Sequence, residues 1–90
     1  MREFYNDAAR GSLPDYTFIQ PRWTVDKTLW NNTKAYGLPN DQHPPHSIKE
    51  GERIMKNVYE SLRSSPQWNQ TLFIITYDEH GGYFDHVAPP

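Results

Sequence analysis

The sequence predicts an α/β fold: part of a parallel sheet with flanking helices, belonging to a larger domain. Three observations lead there. Residues 71–77 are apolar on both faces of an extended chain, residues 48–63 carry an apolar stripe at helical spacing, and ninety residues are too few to enclose the first of these. A chain of this length buries only about 60–65% of its unfolded surface.

Taken in order, residues 2–9 read as a short helix, stopped by Gly11 and Pro14. Tyr16-Thr17-Phe18-Ile19 is β-prone and predicts a first strand, which Pro21 terminates. Residues 20–46 show no apolar periodicity and contain Pro21, Gly37, Pro39, Pro44 and Pro45. A stretch that long without regular structure is usually functional or disordered. Trp23, Trp30 and Tyr36 argue against plain disorder, because such aromatics seek burial or a ligand.

Ser47-Ile48-Lys49-Glu50 has the form of a capping box. The Ser hydroxyl would accept an orphan helix N–H, and the Glu three residues on would reach back. Ile48, Met55, Tyr59 and Leu62, with Ile54 and Val58 beside them, form one stripe that reads as ordinary core packing. The helix should stop near Ser64-Ser65-Pro66. Thr71-Leu72-Phe73-Ile74-Ile75-Thr76-Tyr77 follows without alternation, and successive side chains on a strand point to opposite faces. A strand apolar on both faces predicts a central position in a parallel sheet covered on each side. The order is β–loop–α–β, typical of α/β proteins. Such a strand needs neighbours and two helical layers, which this chain does not supply.

Several function classes are excluded. With no Cys there is no disulfide framework, thiolate zinc site or Cys nucleophile. The net charge of −2 gives no electrostatic footprint for nucleic acid. The longest apolar run, residues 72–75, is far short of the ~18 residues a transmembrane segment needs. The opening Met1-Arg2-Glu3-Phe4-Tyr5-Asn6-Asp7 lacks the apolar core of a signal peptide.

Charge distribution is more informative. Arg63 is the last Lys or Arg, and Asp78, Glu79, His80, Asp85 and His86 follow it without a basic partner. Clustered acids disfavour one another's ionised forms, which a bound cation relieves; a solvated acidic loop is the alternative. Asp78-Glu79-His80-Gly81-Gly82-Tyr83-Phe84-Asp85-His86 leaves the expected strand at its carboxyl end, where open α/β sheets bind ligands. Adjacent carboxylates with imidazole nearby suit a divalent Ca, Mg, Mn or Zn ion. Gly81-Gly82 permits backbone conformations closed to other residues. A second cluster, Asn40-Asp41-Gln42-His43-Pro44-Pro45-His46, precedes the capped helix, and its prolines would hold His43 in place. All four His fall in these clusters. The chemistry they support is metal-assisted ester hydrolysis, in which a cation polarises the electrophile and His moves a proton. His46 and His86, taken alone, read as turn or surface residues.

Residues 71–87, with Asp41-Gln42-His43-Pro44 and residues 59–68 before them, strongly resemble the phosphoesterase family. That family contains bacterial phosphatidylcholine-type phospholipases C, plant non-specific phospholipases C and related acid phosphatases. The likeness covers roughly residues 13–90 and is most specific from Asp41 onward. It implies an alkaline-phosphatase-like fold and hydrolysis of phosphate esters or phospholipids at a divalent metal. By that resemblance Asp78 and Glu79 are metal ligands. His43 contacts phosphate or donates a proton near the leaving group, and His80 and His86 are catalytic candidates; Asp85 and His86 either touch substrate or brace the loop. Gln20, in Phe18-Ile19-Gln20-Pro21, stands where relatives carry an acid. The family's upstream Glu-Asn motif and its Ser or Thr nucleophile have no match in residues 1–40. The chain is therefore expected to be a C-terminal-side portion of a catalytic domain, inactive alone and completed by the missing remainder. A competing reading is a non-catalytic binding module that uses Trp23, Trp30, Tyr36 and Trp68. Sequons at Asn31 and Asn69 would matter if the parent protein is secreted.

Overall fold

Two amphipathic helices organise the chain. The computed structural model describes residues 1–25 and 38–88. Helix α1 spans Arg2–Arg10, helix α2 spans Ile48–Arg63, and a 3₁₀ turn covers Trp68–Gln70. The end of α1 is set by Gly11, whose φ of 68° lies in the left-handed region. Its N–H donates to the Ala8 carbonyl, and Ser12 N–H reaches the Asp7 carbonyl at 2.9 Å. A Cβ at Gly11 would lie 3.3 Å from Pro66, so a side chain there would be both strained and crowded. Glu3 in the first turn and Arg10 in the last complement the helix dipole.

Helix α2 begins and ends where its apolar period does, but its cap differs from expectation. Ser47 occupies the N-cap with extended backbone, yet its hydroxyl makes no cap bond. Glu50 is turned toward Arg53, one turn along the helix, and forms an ion pair with it. The capping box is therefore not formed: the carboxylate that would close it has a cationic partner. The stripe is also only partly core. Val58 and Leu62 are 4% and 5% exposed and Ala8 of α1 is fully covered, whereas Ile48 and Tyr59 stay open. Tyr59 instead takes the edge of Trp68, with ring centres 5.9 Å apart at 87°, and the Arg63 guanidinium sits 5.6 Å from the Trp68 ring centre.

Behind this contact the chain segments that leave the two helices are tied together. Leu13 N–H donates to Gln67 Oε1 at 3.1 Å, and Gln67 Nε2 returns a bond to the Leu13 carbonyl at 3.4 Å. Tyr5, on α1, is partly covered, and that desolvation raises its phenol above the ordinary 10.0. The Pro-rich stretch is pinned at its two ends: Arg22 N–H donates to Asn40 Oδ1 at 2.6 Å, and the Arg22 guanidinium donates to the Leu38 carbonyl at 2.8 and 3.0 Å. Trp30, Tyr36, Gly37 and the Asn31 sequon lie outside the described residues.

The two expected strands are corrected. Among the described residues no strand is present; residues 16–19 and 71–77 have no ladder. An extended segment becomes a strand only when a neighbour accepts and donates its backbone bonds, and no described segment pairs with either one. Their apolar side chains are correspondingly open: Leu72 is 85% exposed, Ile74 69% and Phe18 73%. What these residues form is a two-helix unit carrying unpartnered extended segments. Among the described residues, no helix is long and apolar enough to cross a membrane.

Candidate functional site

Both chemistry-bearing clusters sit on loops, one entering α2 and one leaving the extended segment 71–77. In the first, Asp41 is buried and acts as a hub. Its Oδ1 accepts a hydrogen bond from His46 Nδ1–H at 2.6 Å, and its Oδ2 accepts one from the His43 backbone N–H at 3.3 Å. His43 is exposed, and its Nδ1 lies 2.8 Å from the Pro44 carbonyl. A carbonyl can only accept, so Nδ1 carries the proton and Nε2 of the neutral ring stays available.

The second loop is folded on its own backbone. Asp78 Oδ1 accepts Glu79 N–H at 3.0 Å, and Glu79 Oε2 accepts Gly81 N–H at 2.9 Å. His80 Nδ1 accepts Gly82 N–H at 2.7 Å, which places the neutral ring's proton on Nε2. Gly81 and Gly82 adopt φ of 67° and 79°, the left-handed conformations that this loop path requires. Further on, Asp85 Oδ1 accepts Val87 N–H at 2.9 Å and lies 3.6 Å from His86 Nδ1. Asp85 thus braces the loop, and His86 is open to solvent.

Gln42 joins the two loops. Tyr77, immediately before Asp78, donates its hydroxyl to Gln42 Oε1; Tyr83, immediately after Gly82, donates to the Gln42 carbonyl at 2.8 Å. Gln42 Nε2 in turn donates to the Ile48 carbonyl at the start of α2, at 3.3 Å. A Cβ built on Gly81 would lie 3.7 Å from Pro44, so Gly81 faces the His43-Pro44 turn. His43 and the Asp78-Glu79-His80 group therefore share one region of the surface.

Asp78 and Glu79 are exposed and remain a pair. Among the described residues no group of three or more His, Asp or Glu side chains is arranged to hold a metal ion. Their oxygens have the right chemistry for a hard divalent cation, but two carboxylates fall short of the six to eight donors that Ca²⁺ takes. The signals overlooked in the sequence are Gln42, the two tyrosines and the Asp41–His46 pair. His46 reads locally as a turn residue, yet it is held on a buried carboxylate. Trp68, a candidate for ligand contact, is engaged with Tyr59 and Arg63 instead.

A family model described as "Phosphoesterase family" matches residues 1–90. The chain belongs to the phosphoesterase family. Non-specific phospholipase C6 of Arabidopsis thaliana is 53% identical over 89 residues, covering 98% of this chain and 15% of that protein. Non-hemolytic phospholipase C of Burkholderia pseudomallei is 44% identical over 85 residues, covering 93% of this chain and 10% of that protein. Phospholipase C B of Mycobacterium tuberculosis is 29% identical over 89 residues, 98% of this chain and 14% of that protein. No solved structure matches the chain significantly. This phosphoesterase chain spans about 15% of the length of the plant relatives and corresponds to a portion of them.

Proposed function

We propose that this chain forms one wall of the active site of a metal-dependent phosphoesterase of the phospholipase C or acid phosphatase type, acting on a phospholipid or another phosphate ester. What supports the reading is the joining of the His43 loop to the Asp78–Glu79 loop through Gln42, in a chain whose similar proteins are named phospholipases C.

Asp78 and Glu79 supply two hard oxygen ligands to a divalent cation. Such an ion, when bound, withdraws charge from the phosphoryl oxygens. His43, with its Nδ1 proton held by the Pro44 carbonyl, presents Nε2 for proton transfer at the leaving oxygen. His80 presents Nε2–H as a donor, and His86 lies further along the same loop. The remaining ligands and the nucleophile lie outside residues 1–90, so the isolated chain does not turn over. In the complete domain, residues 71–77 become a central strand of an alkaline-phosphatase-like parallel sheet.

Titration of the chain with Mn²⁺, followed by water-proton relaxation, tests the ligand assignment. The expected result is weak binding that disappears in the Asp78→Ala/Glu79→Ala variant; equal binding by both proteins overturns it. Robust metal-dependent release of phosphate by the isolated chain would contradict its incompleteness.

A further inference from the structure

We infer that Gln42 is a positioning residue, a clamp that holds both ends of the loop 78–82 against the first turn of α2. Three groups converge on it: the Tyr77 hydroxyl on its side-chain oxygen, the Tyr83 hydroxyl on its backbone oxygen, and the Ile48 carbonyl beneath its amide nitrogen. Each tyrosine sits directly outside the loop, so the two bonds fix where residues 78–82 start and where they finish. Gly51 completes the clamp. It is buried in α2, and a Cβ there would come within 2.3 Å of Gln42 Cγ, so the missing side chain is the space Gln42 fills.

The loop has little else to hold it. Asp78, Glu79 and His80 are exposed, and their hydrogen bonds run to backbone within the loop itself. Internal bonds shape a loop but do not locate it. Location comes from ties to a rigid element, and here those ties pass through Gln42 to helix α2. Gln42 touches neither Asp78 nor Glu79, so it acts on them by placing the backbone that carries them.

The consequence for ion binding rests on the phosphoesterase reading; the mechanical claim does not. Backbone ¹⁵N relaxation on the 90-residue chain separates them. Gln42→Ala removes the ties to Tyr77 and Ile48 but keeps the backbone oxygen that Tyr83 uses, so the order parameters of Asp78 and Glu79, next to Tyr77, should fall from about 0.85 to below about 0.6, while those of Val58 and Leu62 in α2 stay unchanged. Tyr77→Phe removes one clamp bond through a single hydroxyl and should loosen the same loop, so the result does not hang on the tolerance of position 42. Gln42→Glu keeps the acceptor for Tyr77 and should restore most of the order. A loop as mobile in the wild type as in Gln42→Ala, or one equally ordered in both, overturns the clamp. On the phosphoesterase reading, Mn²⁺ affinity should drop about tenfold or more in Gln42→Ala. Loosening of the loop with no Mn²⁺ binding in any variant leaves the clamp standing and removes the metal assignment. Mn²⁺ binding with an unmoved loop removes the clamp alone.

Discussion

Replacing Gly51 by Ala sets two effects of opposite sign against each other. In a helix interior Ala is favoured over Gly by about 1 kcal/mol. Against this, the new methyl would lie 2.3 Å from Gln42 Cγ and 3.0 Å from Gln42 Cδ, where carbon atoms rest comfortably at about 3.5–4.0 Å. The obstructing atoms stand close to the root of the Gln42 side chain, so the whole side chain must swing aside. Crowding of this kind costs about 1–3 kcal/mol. Swinging aside also releases the bonds to Ile48 and Tyr77, each worth about 1 kcal/mol or less in so exposed a position. The penalty exceeds the gain, and Gly51→Ala should destabilise the chain by about 1–3 kcal/mol. Urea unfolding followed by the helical circular dichroism signal measures it. In a Gln42→Ala background the obstacle is gone, the nearest other atom being the Asp41 carbonyl carbon at 3.4 Å. There the same substitution should stabilise, by about 0.5–1 kcal/mol. A stabilising Gly51→Ala in the wild type, or a destabilising one in the Gln42→Ala background, refutes the packing argument.

Other outcomes follow from Tyr5 and from the open extended segment. Burial raises the Tyr5 phenol above 10.0 in the folded chain, so the folded state holds that proton more tightly than the unfolded one. Its contribution is complete below pH ~10 and is lost as the pH rises through the higher folded value; alkaline melts of Tyr5→Phe should lack that loss, and identical profiles would count against it. Leu72→Lys with Ile74→Lys should leave the circular dichroism of the helices unchanged, since the two side chains are 85% and 69% exposed. A drop in helix signal would show that the extended segment supports them.

How legible all this is from sequence depends on the range of the interaction. Helix α2 is readable because its apolar period, the Pro45-His46 lead-in and the Ser64-Ser65 exit are all local, and it runs Ile48–Arg63 as that pattern implies. The capping box is local too, but Arg53 competes for the same Glu50 carboxylate, and motif matching does not weigh such competition. The two site clusters are visible as groups of His and carboxylates. Their union is not, because it runs through Tyr77 and Tyr83, 35 and 41 residues from Gln42. One residue does announce it. Gly51 interrupts an otherwise regular helix at a cost of about 1 kcal/mol against Ala, which signals a close approach by something else.

The segment 71–77 shows the opposite case, a pattern more complete than the structure around it. Its apolar residues describe an environment, both faces covered, that the described residues do not contain. Burying an aliphatic side chain of this size contributes about 1.5–3 kcal/mol, so Leu72, Ile74 and Ile75, at 85%, 69% and 54% exposure, together leave roughly 3–6 kcal/mol unrealised. That is comparable with the entire stability of a domain this long, about 5–13 kcal/mol. Sequence composition is shaped by the finished fold, and three exposures of that size within four residues are costly for any chain that works with them open. The relatives, of which this chain spans 15%, have ample chain to cover such a surface. On the proposed reading the helices and the Gln42 clamp are a pre-assembled wall, and residues 71–77 are the segment on both sides of which the rest of a sheet would build.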